Sequence, residues 1–209
     1  MAAALATSPP PADAIVLVGF MASGKSTVGA ALAAQVGGQL VDTDELCEAR
    51  AGRTIAALFA QDGEAAFRDL ERSVIAGLAD VLNDQAGGHT TRDTTARAGP
   101  PTARIIATGG GTFVDPANRR ALAKLGPTVW LRARPETILA RLAGCESTRP
   151  LFQGPKDAAN LTALLASRVA AYGEALVHID SDDDSADVIA ERILRAVAAL
   201  RSRPPGDKP

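Results

Sequence analysis

The segment Gly19 to Ser26, GFMASGKS, constrains this chain more than any other feature of its sequence. It meets the pattern GxxxxGK[ST] at every fixed position. It directly follows the apolar run Ala14 to Val18 (AIVLV) and precedes the alanine-rich stretch Thr27 to Val36, which ends at Gly37 and Gly38. A buried strand, a glycine loop and a helix are therefore expected in that order. Glycines let the backbone wrap so that successive N–H groups point inward, and the following helix adds the positive end of its dipole, so the loop is built to take a polyphosphate. Lys25 is placed to reach the β- and γ-phosphates and Ser26 to ligate a divalent cation. A tight strand-to-helix turn would use the same glycines but needs neither the lysine nor the hydroxyl.

Gly19, Ala22, Ser23, Gly24, Lys25, Ser26 and Thr27 are accordingly the candidate nucleotide-binding residues. No NKxD guanine-specifying motif occurs, so ATP is the expected donor.

Beyond the loop, short apolar runs alternate with helical stretches, the pattern of βα units on a parallel sheet. Strands are expected at Gln39 to Val41, Ile105 to Ala107, Thr128 to Leu131 and Leu176 to Ile179, which with Ala14 to Val18 makes five. Helices are expected at Asp44 to Ala51, Thr54 to Asp62, Gly63 to Asn83, Pro116 to Lys124, Pro135 to Leu142, Ala158 to Ala171 and Ala186 to Leu200. The fold class expected is a three-layer α/β P-loop NTPase fold, a five-stranded parallel sheet flanked by helices. One domain over 14–200 is expected, between loose tails at 1–13 and 201–209. The stretch 84–102, DQAGGHTTRDTTARAGPPT, has too little apolar surface to order itself and is expected to be a flexible surface loop.

Composition narrows the partners. Lys and Arg total 22 against 24 Asp and Glu, a formal net charge of -2, so no overall basic field exists to hold nucleic acid. No apolar run approaches the roughly 20 residues that span a bilayer. Cys47 and Cys145 lie in no CxxC or Cys/His ligand pattern, and free thiols in a reducing cytoplasm are expected.

Asp42 and Asp44 follow the second expected strand two residues apart, so both carboxylates would project to one side while the chain stays extended. Strand carboxyl ends in an open α/β sheet are where ligands bind, which puts this pair near the phosphate loop. One carboxylate could hold a cation through water while the other receives a hydroxyl proton. Helix N-capping by either aspartate is the other use of the pair.

Further along come GEAAFRDLE at 63 to 71, GGG at 109 to 111, TRPLF at 148 to 152 and RVAAY at 168 to 172. With GFMASGKST and the DTD triplet at 42 to 44, in this order, the chain resembles the shikimate kinases from about Ile15 to about Leu200. The resemblance implies transfer of the γ-phosphate of ATP to the 3-hydroxyl of shikimate, with Mg2+ as cofactor. It also implies a substrate-binding helical segment at about 42–72, a mobile lid at about 144–157, and a cytoplasmic monomer.

By resemblance Lys25 stabilises the transferred phosphoryl group, Ser26 and Asp42 hold the metal, and Asp44 orients and deprotonates the acceptor hydroxyl. Arg68 and Arg168 match the arginines that hold the acceptor carboxylate. A guanidinium fork suits that planar anion, and Glu71, one turn on from Arg68, can hold it in place. Arg68 and Glu71 would also satisfy each other as a surface ion pair. Phe59 and Phe67 match the acceptor ring pocket, where plain core packing is the other reading. Gly109, Gly110 and Gly111 match the turn that approaches the acceptor hydroxyls. Arg149 in the lid would deliver a cation on closure, and Arg141 is the candidate beside adenine; either is also ordinary as an exposed arginine. The stretch Asp180 to Ser185 is expected to shape the adenine pocket.

Three departures stand out. Ala22 occupies a position where the family often has glycine. Val169, Ala170 and Ala171 separate Arg168 from Tyr172 where the family often has proline and leucine. The loop at 84–102 is unusually long. The competing readings are a gluconate-type kinase, which lacks the combination of FRxxE and GGG, and a catalytically silent nucleotide-binding module.

Overall fold

The computed structural model describes residues 14–86, 103–143 and 158–202. Five parallel strands form one sheet in the order β2-β3-β1-β4-β5, with β1 Ala14–Val18, β2 Gln39–Asp42, β3 Arg104–Ala107, β4 Thr128–Arg132 and β5 Val177–Asp180. The helices are α1 Lys25–Val36, α2 Thr43–Ala51, α3 Ile55–Ala86, α4 Pro116–Leu125, α5 Pro135–Ala143, α6 Ala158–Tyr172 and α7 Ala186–Arg201, with one 3-10 turn at Thr112–Val114.

Side chains alternate across a strand, and in β1 that alternation defines two cores. Ala14, Val16 and Val18 join Ile106, Ile75, Leu78, Leu122 and Tyr172 on the face covered by α3, α4 and α6. Ile15 and Leu17 join Leu32, Ile105, Leu131, Ile189 and Ile193 on the face covered by α1 and α7. With all five of its residues buried, β1 takes the centre of the sheet, whereas the edge strand β5 buries only alternate residues. A third, smaller cluster of Cys47, Leu58, Phe67 and Val74 unites α2 with α3.

The observed elements agree with those read from the sequence to within a few residues, and three differences have physical causes. Gly24, at φ 96, caps α1, so the helix starts at Lys25 rather than Thr27. The helix α3 is interrupted at Gly63, whose φ of 80 only glycine adopts readily, and its second segment runs to Ala86, three residues into the polar stretch. The last strand lies one residue later than expected because its register is set by β4, ending with Arg132 opposite Asp180 and an ion pair of 2.8 Å between them. The polar stretch from 87 to 102, the segment 144–157 expected to be a lid, with Arg149 and Cys145, and the tails at 1–13 and 203–209 lie outside the described residues, while Arg201, expected in the tail, closes α7.

Candidate active site

The glycine loop leaves the carboxyl end of β1, the central strand, with its neighbours β3 and β4 on either side. Gly19 has φ 142, and a Cβ there would stand 2.6 Å from the Leu131 carbonyl oxygen, so the loop can pass β4 only with glycine. Ala22 is held at φ 57, the only non-glycine with positive φ among the described residues, where L-residues are disfavoured by about 1–2 kcal/mol. Lys25 is buried, and its Nζ donates to the carbonyl oxygens of Gly19 at 3.0 Å and Phe20 at 2.7 Å. These bonds fold the ammonium back across the mouth of the loop. The Ser23 hydroxyl is buried and makes no hydrogen bond among the described residues.

The aspartate pair does not sit on an extended strand, as the sequence reading had it, because α2 begins between the two residues at Thr43. Asp42 serves as its N-cap, with Oδ1 accepting from the Asp44 N–H at 2.9 Å. Its other oxygen, Oδ2, accepts from Ser26 Oγ at 3.0 Å. Capping and ligand binding are thus compatible in one carboxylate, since each oxygen faces a different direction. Thr43 is buried, and its Oγ1 accepts from the Gly109 N–H at 3.0 Å, tying the aspartate turn to the triple glycine.

The triple glycine has ordinary backbone angles, so crowding and not φ explains it. A Cβ on Gly109 would stand 2.5 Å from Asp44 Oδ1, one on Gly110 3.0 Å from the Met21 nitrogen, and one on Gly111 2.7 Å from both Nη atoms of Arg68. Three candidate elements therefore converge on one turn: the phosphate loop, the aspartate turn and the arginine helix.

Arg68 lies with its guanidinium 5.1 Å from the centre of the Phe67 ring, donates to Glu71 Oε2 at 2.9 Å and pairs with Glu64 at 3.2 Å. Burial, the largest single influence, opposes its charge, but Glu71 and Glu64 outweigh it and push its pKa above the ordinary value. Arg168 reaches the same turn from α6, donating to the Gly110 carbonyl at 3.1 Å while its guanidinium lies 5.3 Å from the centre of the Phe20 ring. Tyr172, one helical turn on, donates to that carbonyl as well. The Val169-Ala170-Ala171 spacing thus leaves arginine and tyrosine on one helix face. Among the described residues Arg168 has no carboxylate partner, and its contacts are the Gly110 carbonyl and the Phe20 ring.

A cleft of about 1010 Å³ joins these parts, lined by Lys25 and Ser26, Asp42 and Asp44, and Arg68 and Arg168 among others. Phe67 and all three glycines of the turn border it, as do Ala22, Ser23, Gly24, Thr27 and Arg141. Two candidates stand behind its wall. Gly19 contributes its carbonyl to Lys25 rather than a surface, and Phe59 packs on Phe67 with ring centres 4.8 Å apart, within the α2–α3 cluster. Arg141 bridges the Ala22 and Ser181 carbonyls at the cleft edge.

Sequence reasoning assigned Thr43 and Thr112 no role of their own, and named Ser181 only as part of the stretch Asp180 to Ser185 beside the adenine pocket. Thr112 donates to Glu71 Oε1 at 2.7 Å, and its place directly after GGG was the available signal. Ser181 opens the turn after β5 and touches the phosphate loop, a contact with no local signature. Beneath the aspartates, burial first and then the surrounding Glu71, Asp44, Asp42 and Glu48 carboxylates push the Cys47 thiol up to about 12, so it is no nucleophile at neutral pH.

A parallel sheet with a lysine-bearing phosphate loop at its central strand, facing acids and arginines across one cleft, defines a P-loop phosphotransferase for a small anionic acceptor. The family model described as shikimate kinase matches residues 21–85 and 92–198. A shikimate kinase of Moorella thermoacetica is 38% identical over 185 residues, covering 88% of this chain and 94% of the relative. One from Caulobacter vibrioides is 41% identical over 186 residues, covering 89% and 82%. Among solved structures, the shikimate kinase from Acinetobacter baumannii in complex with shikimate superposes with a TM-score of 0.74 at 31% identity, covering 92% of this chain and 97% of that one. The chain belongs to the shikimate kinase family, and it is an ATP-dependent kinase of shikimate.

Proposed function

We propose that the chain moves the γ-phosphate of ATP to the 3-hydroxyl of shikimate, with donor and acceptor held on opposite sides of the triple-glycine turn. The observation that carries this reading is the convergence on Gly109 to Gly111 of the phosphate loop, the Asp44 carboxylate, Arg68 and Arg168. A turn without side chains lets a ring bearing hydroxyls approach both the acid and the loop. Arg68, braced by Glu71, and Arg168, stacked on Phe20, then grip the acceptor carboxylate from two directions. Phe67 offers the ring an apolar wall.

On the donor side, the loop N–H groups and the Lys25 ammonium face the phosphates, and the buried Ser23 hydroxyl is a donor with capacity to spare. Lys25 needs little motion, because the carbonyls of Gly19 and Phe20 already hold it over the loop. Asp44 accepts the proton of the attacking hydroxyl and keeps the resulting oxygen aimed at the phosphorus. Arg141 flanks the adenine. Arg149, from the lid, adds charge and excludes water on closure.

Ser26 Oγ and Asp42 Oδ2, 3.0 Å apart, fit Mg2+: both are hard oxygen donors, and Mg2+ keeps several waters and substrate phosphates as its remaining ligands. When bound, the ion neutralises phosphate charge. A cytoplasmic monomer completes the reading, and the net charge of -2 supports the absence of a nucleic-acid partner.

Coupled ADP release with shikimate and with gluconate tests the acceptor, and phosphorus-coupled NMR of the product tests the hydroxyl. Turnover of gluconate alone, or phosphate on another hydroxyl of shikimate, would overturn the proposal. A gluconate acceptor is disfavoured by family membership.

A further inference from the structure

The phosphate loop is latched from a segment 158 residues away. Ser181 is 1% exposed, and its Oγ lies 2.9 Å from the Ser23 carbonyl oxygen and 2.9 Å from the Arg132 carbonyl oxygen. A serine hydroxyl has one proton to give. Arg132 O also accepts the Ser181 backbone N–H at 2.8 Å and so anchors the residue at the end of β4, while the hydroxyl bond to Ser23 O is the one that ties it to the loop. The Ser181 carbonyl is itself held by Arg141 Nη2, while Nη1 of the same guanidinium donates to Ala22 O at 3.2 Å. Two successive carbonyls of the loop are thereby held, Ala22 O from Arg141 on α5 and Ser23 O from Ser181 in the β5–α7 turn, and Arg141 joins the two holds through the Ser181 carbonyl.

The consequence follows from peptide geometry. A trans peptide points its C=O and N–H in opposite directions. With Ala22 O fixed on Arg141, the Ser23 N–H turns inward to the Phe20 carbonyl at 3.2 Å and closes the loop. With Ser23 O fixed on Ser181, the Gly24 N–H is turned the opposite way. Gly24 has no side chain and φ 96, so without that bond its preceding peptide is the one most free to flip. A flipped peptide would present a carbonyl oxygen, not an N–H, to the phosphates.

We infer that Ser181 is a positioning residue for nucleotide binding: its hydroxyl holds the Ser23–Gly24 peptide in the orientation that aims the Gly24 N–H at a nucleotide phosphate. The inference rests on the nucleotide site proposed above. It assigns the turn after β5 a task distinct from contact with the base, namely setting the polarity of the loop before nucleotide arrives.

Calorimetric titration of the full chain with ADP, and separately with shikimate, tests it. Wild type should bind both. Ser181→Ala should weaken ADP binding about tenfold, the weight of one ordered hydrogen bond at an anion site, and leave shikimate binding within twofold. Ser181→Thr, which restores a hydroxyl, should recover most of the ADP affinity. Unchanged ADP binding in Ser181→Ala overturns the inference alone. Equal loss of both ligands also overturns it, since that is the signature of a damaged fold. Absence of ADP binding in wild type overturns the nucleotide site itself and the inference with it.

Discussion

Glu71 holds Arg68 at 2.9 Å with one carboxylate oxygen and is itself held by Thr112 at 2.7 Å through the other, in a site where Glu71 is 2% exposed. The acid has no freedom to leave the arginine, and the arginine is fixed above Gly111. Pre-set geometry of this kind lets a guanidinium bind an anion without first losing its own conformational entropy.

Removing the acid should therefore be felt twice. Glu71→Ala leaves a half-buried guanidinium without its main partner, and we expect a loss of about 2–3 kcal/mol in urea denaturation. Its shikimate KM should rise while its ATP KM stays near wild type. Arg68→Ala should raise the shikimate KM at least tenfold with ATP binding nearly intact; equal loss of both would mean the arginine does not hold the acceptor.

The two outer glycines of the turn should separate binding from chemistry. Gly111→Ala places a methyl 2.7 Å from both Nη atoms of Arg68, so the fork must move and the shikimate KM should rise. Gly109→Ala places one 2.5 Å from Asp44 Oδ1, displacing the proton acceptor, so kcat should fall by about a hundredfold. Steady-state kinetics on both variants checks the split. The same pattern of losses in each would contradict it.

Ala22 lies in the left-handed region at φ 57, where glycine is free of the clash that an L side chain suffers. Ala22→Gly should stabilise the chain by about 0.5 kcal/mol, the relieved strain less the added flexibility of the unfolded glycine. For a domain of this size that is about 1–2 °C in melting temperature, measured by calorimetry. A lower melting temperature would show that the loop imposes no strain at this position.

Cys47 is held at about 12 by burial and the neighbouring carboxylates. Its proton is bound more tightly in the folded chain than in the unfolded one. The stability this lends is complete below the ordinary thiol value and is lost as pH rises from about 9 towards about 12. Alkylation at pH 8 followed by peptide mapping should find Cys47 unmodified in the native chain and modified after denaturation. Rapid native labelling would be incompatible with its burial.

Most of the fold was legible because strand, loop and helix each carry a local signal. The apolar run of β1, the glycines of the phosphate loop and the break at Gly63 are decided within a few neighbouring residues. The aspartate turn was half legible. DTD announced two carboxylates at a strand end, but only the onset of α2 at Thr43 assigned one oxygen of Asp42 to the cap and left the other for Ser26. Phe59 stayed open between pocket and core because an aromatic beside a site and one behind it have the same sequence pattern; with α3 interrupted at Gly63, Phe59 packs on Phe67 within the α2–α3 cluster.

The phosphate loop, Gly19 to Ser26, together with the order of the later motifs, was determined by sequence alone, because its chemistry depends on residue types at fixed short spacings. Tertiary structure alone decided what meets what: Thr112 with Glu71 across 41 residues, Arg168 with the Gly110 carbonyl across 58, and Ser181 with Ser23 across 158. Those contacts join groups whose separation along the chain carries no information about their separation in space. They exist because the five parallel strands bring all their carboxyl ends to one edge of the sheet.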